Sequence, residues 1–334
     1  MKGYKIKECE ISGLHLSLLI LNLEDGKTLN KYLELFELCF GKRPNIDASL
    51  FRWLNNKYPY CKNLNFAFVE NATGKIIAAY GLQPGDAFVE GVIKKYALCT
   101  NVMSHPDYGG KGLFVAIGKE ALDYALKLGI SFCFGVPNEK AVSGHLKVGW
   151  NVVNDILFYE RDFSTGEKFT SVADITSDLF LEMTDADLFS FYNDKYDFYF
   201  MRTSSWAHWR CAKPHSKYSN FAINNGSDKG FVVLKEYYDG AKDIKKLHIV
   251  DFGYNNSQCL GKLINHCCWF AQQNKFDLLN LWHYSFNEME TKLLQEKGIH
   301  LTEQKNPIII HKLGKDMDIP KSNWHVTLFD NDVY

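Results

Sequence analysis

Hydrophobic and polar positions in the first half of the chain switch between helical and strand-like spacing. Apolar residues from Leu29 to Phe40 recur every three or four positions, which predicts a helix. The runs Phe66–Val69 and Ile76–Tyr80 flank a turn-forming sequence at 71–74, which predicts a β-hairpin. The pattern then predicts a strand, a long helix, a strand, a short helix and a final strand, over residues 96–103, 110–128, 130–136, 141–147 and 152–159.

The second half of the chain repeats much of this plan at a nearly constant offset. Trp53 is echoed by Trp209, 156 residues later, and a Lys-Lys pair in each half precedes a strand and then a long helix. Several echoes in one order favour a duplication over a chance similarity between hairpins. We therefore predict two tandem domains, residues 1–162 and 163–334, joined by the polar stretch 162–168.

Composition restricts the classes of partner more than it identifies one. The 334 residues carry a net charge of −1, with 46% hydrophobic and 23% charged residues, so neither nucleic acid nor membrane insertion is expected. The apolar run Leu16–Leu23 is too short to span a bilayer, and no secretory signal pattern is evident. Nine cysteines without a Cys-x-x-Cys pair indicate reduced core residues, no metal site and a cytoplasmic location.

A glycine-rich turn between a predicted strand and a predicted helix gives the clearest chemical signal. Residues 105–114 read His-Pro-Asp-Tyr-Gly-Gly-Lys-Gly-Leu-Phe. Glycines can adopt positive φ and let the backbone approach a ligand, while the start of a helix offers unpaired N–H groups. Together these features suit a pyrophosphate. A plain tight turn is the alternative, because no Gly-Lys-[Ser/Thr] ending makes this segment a P-loop.

These residues resemble the cofactor loop of the GNAT acyltransferases, His-Pro-x-Tyr-[Arg/Gln]-x-x-Gly-x-[Gly/Ala]. Gly109 replaces the usual Arg or Gln, with Lys111 as a possible compensating cation, and Phe114 replaces a small residue. The motif from Asn138, with Ala three positions later and then His145, Lys, Gly and Trp, resembles the family's Asn-x-x-Ala-x-x-x-Tyr-x-Lys-x-Gly-Phe. The resemblance implies an α/β fold of two tandem GNAT-like domains, each a mixed, mostly antiparallel sheet flanked by helices.

The same resemblance implies acyl-CoA as the donor substrate. The residues expected to bind it are Met103, Ser104, Gly109, Gly110, Lys111, Gly112, Leu113, Phe114, Asn138 and Ser143. The second half has Asn-Asn-Ser-Gln-Cys-Leu-Gly at 255–261, without a glycine cluster. We therefore predict a single CoA site, in the first domain.

Aminolysis of a thioester needs an oxyanion donor and a group that handles protons. A backbone N–H near Met103 or Ser104 suits the first task. His145 and His105 are the candidates for the second, since histidine titrates near neutral pH. His145 stands where the family places a tyrosine acid, and a packed histidine without a chemical role is the alternative. For His105 a simple turn residue beside Pro106 is the favoured interpretation.

The tandem arrangement resembles a GNAT branch found in polysaccharide clusters, and within it the sugar N-acyltransferases that act on dTDP-linked amino-dideoxysugars. The resemblance implies an amino-sugar nucleotide as acceptor, bound between the two domains of a monomer. Candidate substrate residues are Trp53, Trp209, Tyr284 and Asp330. Core packing is the alternative for the aromatic residues, and a solvated tail is the alternative for Asp330 and Asp332.

Two other functions remain open at this stage. One is acyl transfer to a protein or peptide amine, or to a peptidoglycan precursor. A non-catalytic acyl-CoA sensor is the other, because Gly109 and His145 depart from the family pattern. An aminoacyl-tRNA donor is not favoured, since neither a basic face nor a long helical arm is evident.

Overall fold

Residues 1–56, 58–164, 168–284, 286–314, 317–321 and 323–331 are described by the structure, a computed structural model. The helices are α1 (Gly26–Phe40), α2 (Ala48–Asn56), α3 (Leu113–Lys127), α4 (Glu139–Val148), α5 (Leu179–Glu182), α6 (Asp185–Ser190), α7 (Ser204–Cys211), α8 (Ser257–Gln273) and α9 (Glu288–Glu296). The strands are β1 (Gly3–Ile11), β2 (Leu14–Leu21), β3 (Leu64–Glu70), β4 (Ile76–Val89), β5 (Val92–Ser104), β6 (Phe132–Gly135), β7 (Asn151–Asp162), β8 (Ile175–Ser177), β9 (Phe198–Phe200), β10 (Tyr218–Asn224), β11 (Lys229–Asp239), β12 (Ile244–Tyr254), β13 (Leu278–His283), β14 (His300–Lys312) and β15 (Trp324–His325).

The elements from α2 onward in residues 1–162, the first repeat, recur in the same order in residues 163–334, the second repeat. In the first repeat, α2 is followed by β3, β4, β5, α3, β6, α4 and β7; in the second, α7 is followed by β10, β11, β12, α8, β13, α9 and β14. The equivalent helices α2 and α7 carry Trp53 and Trp209. The fold is α/β with a mixed, mostly antiparallel sheet flanked by helices, as expected from the resemblance.

The two repeats exchange their last strands. Within the described residues one continuous sheet runs in the order β1-β2-β3-β4-β5-β6-β14-β7-β13-β12-β11-β10-β8. Strand β14 of the second repeat thus pairs with β6 of the first, and β7 of the first pairs with β13 of the second. A cut between residues 162 and 163 would separate each final strand from strands with which it pairs. Residues 165–167 of the predicted linker lie outside the described residues.

Apolar faces of the helices explain the layers around this sheet. Helices α1 and α2 bury Leu29, Tyr32 and Phe51 in a large cluster that also takes in residues of the second repeat. Helix α3 buries Leu113 and Ile117 in a separate cluster on the opposite face of the first repeat's strands. Helix α8 covers the second repeat in the same way as α3 covers the first. None of the helices in the described ranges has both the length and the apolar character to cross a membrane.

Candidate functional site

A cleft of about 980 Å³ opens where β5 and β6 separate. The two strands are paired in parallel from Tyr96 and Phe132 to Leu98 and Phe134, and no pairing is found beyond these residues. The lining comes from α1, the end of β5, the β6–α4 connection and α4, and from β7, β13, β14 and the C-terminal segment. Its members include Phe36, Cys39, Phe40, Arg43, Thr100, Asn101, Met103, Ser104, Asn138, Lys140, His145, Phe158, Trp282, Gln304, Asn306 and Asn331.

A bulge in β5 turns its backbone toward this cleft. Gly81 lies opposite Thr100 and Ala79 opposite Met103, so two residues, Asn101 and Val102, face the single residue Tyr80 of β4. Asn101 has a φ of 48°, and both Asn101 and Val102 line the cleft. A bulge leaves backbone groups outside the regular ladder, which makes them available to a ligand.

The glycine loop forms an open turn directly before α3. Gly110 and Gly112 have φ values of 75° and 74°, and an added Cβ at either would meet no atom within 4 Å. Gly112 caps α3 without any side-chain hydrogen bond, so the first N–H groups of the helix lack a side-chain acceptor. Pro106, which precedes this loop in the sequence, lines the cleft.

Other predicted CoA-binding residues are divided between the cleft and the surrounding structure. Met103, Ser104 and Asn138 line the cleft. Leu113 is buried in the core below α3, and Phe114 packs beside Gly144, where any Cβ would lie 2.7 Å from its ring. Four further candidates, Gly109, Gly110, Lys111 and Gly112, form the turn before α3 and are not part of the lining, and Ser143 is exposed on α4 outside it.

His145 lies on α4 at the inner wall of the cleft and is 3% exposed. Its ring is enclosed edge-on by Phe114 and Trp150, and Nδ1 is 3.4 Å from the hydroxyl of Tyr80. Burial lowers the pKa of His145 to about 4. The imidazole is therefore neutral at pH 7.

His105 does not face the cleft, contrary to its place among the candidate proton carriers. Nδ1 of His105 accepts the backbone N–H of Asp107 at 3.3 Å, and the ring packs edge-on against Tyr108. This geometry caps the short 3₁₀ turn Pro106–Tyr108. A side chain that shapes the turn agrees with the simpler interpretation of this residue.

The two candidate tryptophans pack against each other and not against a ligand. Trp53 and Trp209 are stacked with ring centroids 4.3 Å apart and planes 2° apart. Each indole N–H donates to the other residue's carbonyl, at 2.8 Å from Trp53 and 3.3 Å from Trp209. Exposures of 3% and 8% leave little room for a nucleotide base. The substrate role proposed from the sequence is therefore wrong for this pair, which joins α2 to α7.

Tyr284 and Asp330 are also buried, and both lie outside the lining of the cleft. Tyr284 stacks on Trp324 at 4.7 Å and donates its hydroxyl to the carbonyl of Lys321 at 2.6 Å. Asp330 pairs with Arg202 at 2.9 Å, and both side chains are 2% exposed or less. Neither residue lines the cleft, so neither contacts a substrate there. Asp332 lies outside the described residues.

The cleft residues that sequence reasoning missed come from elements distant in the chain. Strand β14 contributes Gln304 and Asn306, β13 contributes Trp282, and the C-terminal segment contributes Asn331. They reach the first repeat because the last strands are exchanged. Among the described residues of the lining none is an aspartate or glutamate, whereas Arg43 and Lys140 supply positive charge.

In the second repeat the equivalent strands, β12 and β13, also separate and form a fork, but the chain itself fills the space between them. Strands β12 and β13 are paired in parallel up to Ile249 and Leu281. Beyond that point His325 lies between them, with Nε2 3.3 Å from Asp251 of β12 and Nδ1 3.3 Å from His283 of β13. The described residues contain no group of three or more His, Cys, Asp or Glu side chains that could hold a metal ion.

Comparison with known proteins agrees with this architecture. Residues 24–153 match the family described as acetyltransferase (GNAT) domain. No curated protein matches the sequence. A GCN5-related N-acetyltransferase from Anabaena variabilis is similar in structure, with a TM-score of 0.65, 12% identity, and coverage of 90% of this chain and 73% of that one.

Two further solved structures share the fold over most of the chain. A probable N-acyltransferase from Enterococcus faecalis V583 has a TM-score of 0.66 and 12% identity, with 89% of this chain and 72% of that one covered. Saccharomyces cerevisiae N-myristoyltransferase with bound myristoyl-CoA has a TM-score of 0.64 and 12% identity, with 95% and 89% covered. At this identity the likeness establishes the fold alone.

Proposed function

This chain carries a GNAT acetyltransferase domain, and we propose the following reaction for it as an acyltransferase of that type. It transfers an acyl group from acyl-CoA to the amine of a nucleotide-linked amino sugar, a dTDP-amino-dideoxysugar used for polysaccharide synthesis. The observation that carries the donor half is the open cleft between β5 and β6, next to an uncapped helix start.

The donor, acyl-CoA, fits the cleft together with the glycine turn before α3. Its pyrophosphate binds at Gly110 and Gly112, where positive-φ glycines and the start of α3 direct N–H groups outward. Lys111 in this turn and Lys140 in the lining of the cleft add positive charge. The pantetheine arm then follows the end of β5 toward the bulge, past Asn138 at the start of α4.

The chemistry needs little more than positioning and one oxyanion donor. The thioester carbonyl lies at the bulge, where backbone N–H groups between Asn101 and Ser104 stabilise the developing negative charge. The leaving thiol has a pKa of roughly 8.5, so the thiolate departs near neutral pH without a strong acid. Neutral His145 borders the reacting groups and completes the wall of the cleft. Holding two reactants together supplies most of the rate increase.

The acceptor lies on the α1 side of the cleft, where both repeats contribute. Amide side chains of Gln304, Asn306 and Asn331 suit the hydroxyl groups of a sugar, and Arg43 suits a nucleotide phosphate. Aromatic residues on this side, including Phe158 and Trp282, provide an apolar wall typical of small-molecule sites. The sequence resemblance to sugar N-acyltransferases supports the same class of acceptor.

A peptide amine is the second candidate acceptor. The structural likeness to N-myristoyltransferase, over 95% of this chain, favours it. Both candidates use the same donor site and differ only in what occupies the α1 side.

Mass spectrometry of products from a panel of acyl-CoAs tests the proposal. Each donor is incubated with dTDP-linked amino sugars, with peptides that have a free N-terminal glycine, or without an acceptor. An acylated sugar nucleotide, with release of free CoA, supports the proposal, and an acylated peptide selects the second candidate. Acyl-CoA that binds without any release would make the protein a sensor, and failure to bind acyl-CoA would overturn the proposal altogether.

A further inference from the structure

We propose that Asp330 accepts the proton that the acceptor amine loses, through one water molecule in a small cavity beside the cleft. This inference rests on the proposed function, because the amine acceptor has to lose a proton when it is acylated. The cleft itself offers little to take that proton. Its described lining has no aspartate or glutamate, and its histidine, His145, is held neutral in an aromatic cage.

The small cavity adjoins the cleft and has a volume of about 20 Å³. Asn331 lines both spaces. The two spaces therefore meet at Asn331, and the preceding residue, Asp330, borders the smaller one.

One polar side chain in this cavity needs a partner that the described residues do not supply. Gln83 of β4 is 5% exposed, and its Nε2 has no hydrogen-bond partner among them. A buried donor of this kind is costly unless it is bonded to protein or water. A cavity of roughly 10–15 Å³ is enough for one water molecule. A water that accepts from Gln83 keeps both of its protons free to donate, one of them to the carboxylate of Asp330.

The charges around Asp330 suit a group that gains and loses a proton near neutral pH. Its Oδ2 accepts Arg202 Nη2 at 2.9 Å and the backbone N–H of Thr327 at 2.8 Å. Arg202 also holds Asp251, at 2.8 and 3.2 Å, so one guanidinium serves two buried carboxylates. The hydroxyls of Tyr96 and Tyr192 are also close to Asp330, and Tyr58 and the guanidinium of Arg210 line the same small cavity.

The two carboxylates of this network differ in their affinity for a proton. Burial raises the pKa of Asp330 to about 6, and the negative charge of Asp251 adds to this against the opposing effect of Arg202. For Asp251, burial also favours the neutral form, but Arg202 and a hydrogen bond from His325 outweigh it and lower its pKa to about 2. Asp330 is therefore the member that takes a proton.

The step balances without a further reactant. The amine nitrogen forms a bond to the thioester carbon, and the C–S bond breaks to release the CoA thiolate. The proton from the nitrogen passes to the water, which gives one of its own protons to Asp330. After the product leaves, Asp330 returns its proton to solvent along the same path, and the free thiolate equilibrates with water.

The pH dependence of Asp330→Asn tests this assignment, with Asp228→Asn as the matched control. Asp228 is another buried carboxylate, paired with Lys262 at 2.6 Å, and it borders neither the cleft nor the small cavity. In the wild type, kcat/KM should rise with pH through about 6 and then level off, because the base form of Asp330 is present above its pKa. Asp330→Asn should lose about 10²-fold or more in kcat at unchanged acyl-CoA affinity, and should lose this limb of the profile. Asp228→Asn should keep both.

Gln83→Leu provides a second variant, since it removes the anchor of the water and leaves every carboxylate in place. It should lower kcat about tenfold without weakening acyl-CoA binding. A kcat within threefold of the wild type in either Asp330→Asn or Gln83→Leu would overturn the proposal. If Asp330→Asn fails to fold, Gln83→Leu alone decides.

A titration separates failure of this inference from failure of the proposed function. The carboxyl carbon of Asp330, labelled with ¹³C and assigned through Asp330→Asn or Asp330→Glu, should titrate near pH 6 in the free protein. A titration near the ordinary value of about 3.9 would refute the inference whether or not any amine is acylated. A wild type that acylates no amine would refute the proposed function on its own.

Discussion

Strands β5 and β6 separate after Leu98 and Phe134 and leave an open cleft, whereas β12 and β13 separate after Ile249 and Leu281 around the protein's own His325. The fork of strands is the same in both repeats. What differs is the occupant, because the C-terminal segment enters the second fork and is fixed there by Arg202. The fold thus supplies two equivalent forks, and one of them serves as a structural anchor.

The helices that follow these forks differ in the same sense. The N-cap of α3 is Gly112, whose positive φ opens the turn and which offers no side-chain cap. The N-cap of α8 is Asn256, whose side chain accepts the N–H of Cys259 at 2.9 Å and donates to Asp228. A side chain thus satisfies the helix start in the second repeat, whereas the helix start proposed to bind an anion in the first repeat has no such cap.

Gly112→Val should produce the largest effect, a loss of more than about 100-fold in acyl-CoA affinity measured by calorimetry. An added Cβ meets no neighbour, so the cost comes from the φ of 74°, which a β-branched residue adopts only with strain. The valine should therefore move the turn and rotate the N–H groups away from the pyrophosphate.

Gly226→Val is the matched control for this change. Gly226 has a φ of 89° and equally open surroundings, but it lies in the β10–β11 turn of the second repeat. It should lose stability and keep its acyl-CoA affinity. Undiminished affinity in Gly112→Val, or two CoA molecules bound per chain, would contradict the contrast between the repeats.

Local features of this contrast could be predicted from the sequence. Glycine clusters, turn residues and helical spacing act over a few positions, so the hairpin, α3, α4 and the single glycine loop were predicted correctly. Residues 110–112 precede the helix proper, because positive-φ glycines fit a turn better than a first helical turn. The hairpin β1–β2 and helix α2 were missed.

Non-local features could not be predicted in the same way. Periodicity tells which face of β14 is apolar, but it does not tell which strand lies beside it, so Gln304 and Asn306 were not connected with the first repeat. The offset of Trp53 and Trp209 did indicate the duplication. Their mutual stacking depends on how the two repeats pack, and for this reason a ligand-binding role was a reasonable but wrong hypothesis.

Trp53→Ala and Trp209→Ala should each lower the free energy of unfolding by about 3–5 kcal/mol, the usual cost of removing a large buried side chain. Each change also leaves the partner's indole without its stacked neighbour. Urea unfolding of both single variants and the double variant measures this. The double variant should lose less than the sum, by about 0.5–3 kcal/mol, because the two residues are in direct contact.

Trp269→Ala on α8 is the control, since that tryptophan is only partly buried and contacts neither residue of the pair. It should cost clearly less than Trp53→Ala. Strictly additive losses would mean that the stacked pair does not couple the two repeats, and would weaken the picture of one continuous unit.

His145→Asn should produce the smallest effect, a change in kcat of less than about tenfold between pH 6 and 9. Burial lowers the pKa of His145 to about 4, as it does for His325 in the filled fork, so both rings stay neutral through this range. A group that does not titrate there cannot create a limb in the pH profile, and the thiolate needs no strong acid. Tyr80→Phe, which removes the hydroxyl beside Nδ1, should behave alike. A loss beyond about 100-fold in His145→Asn, with acyl-CoA affinity intact, would instead make His145 the essential base and would remove the need for a proton path to Asp330.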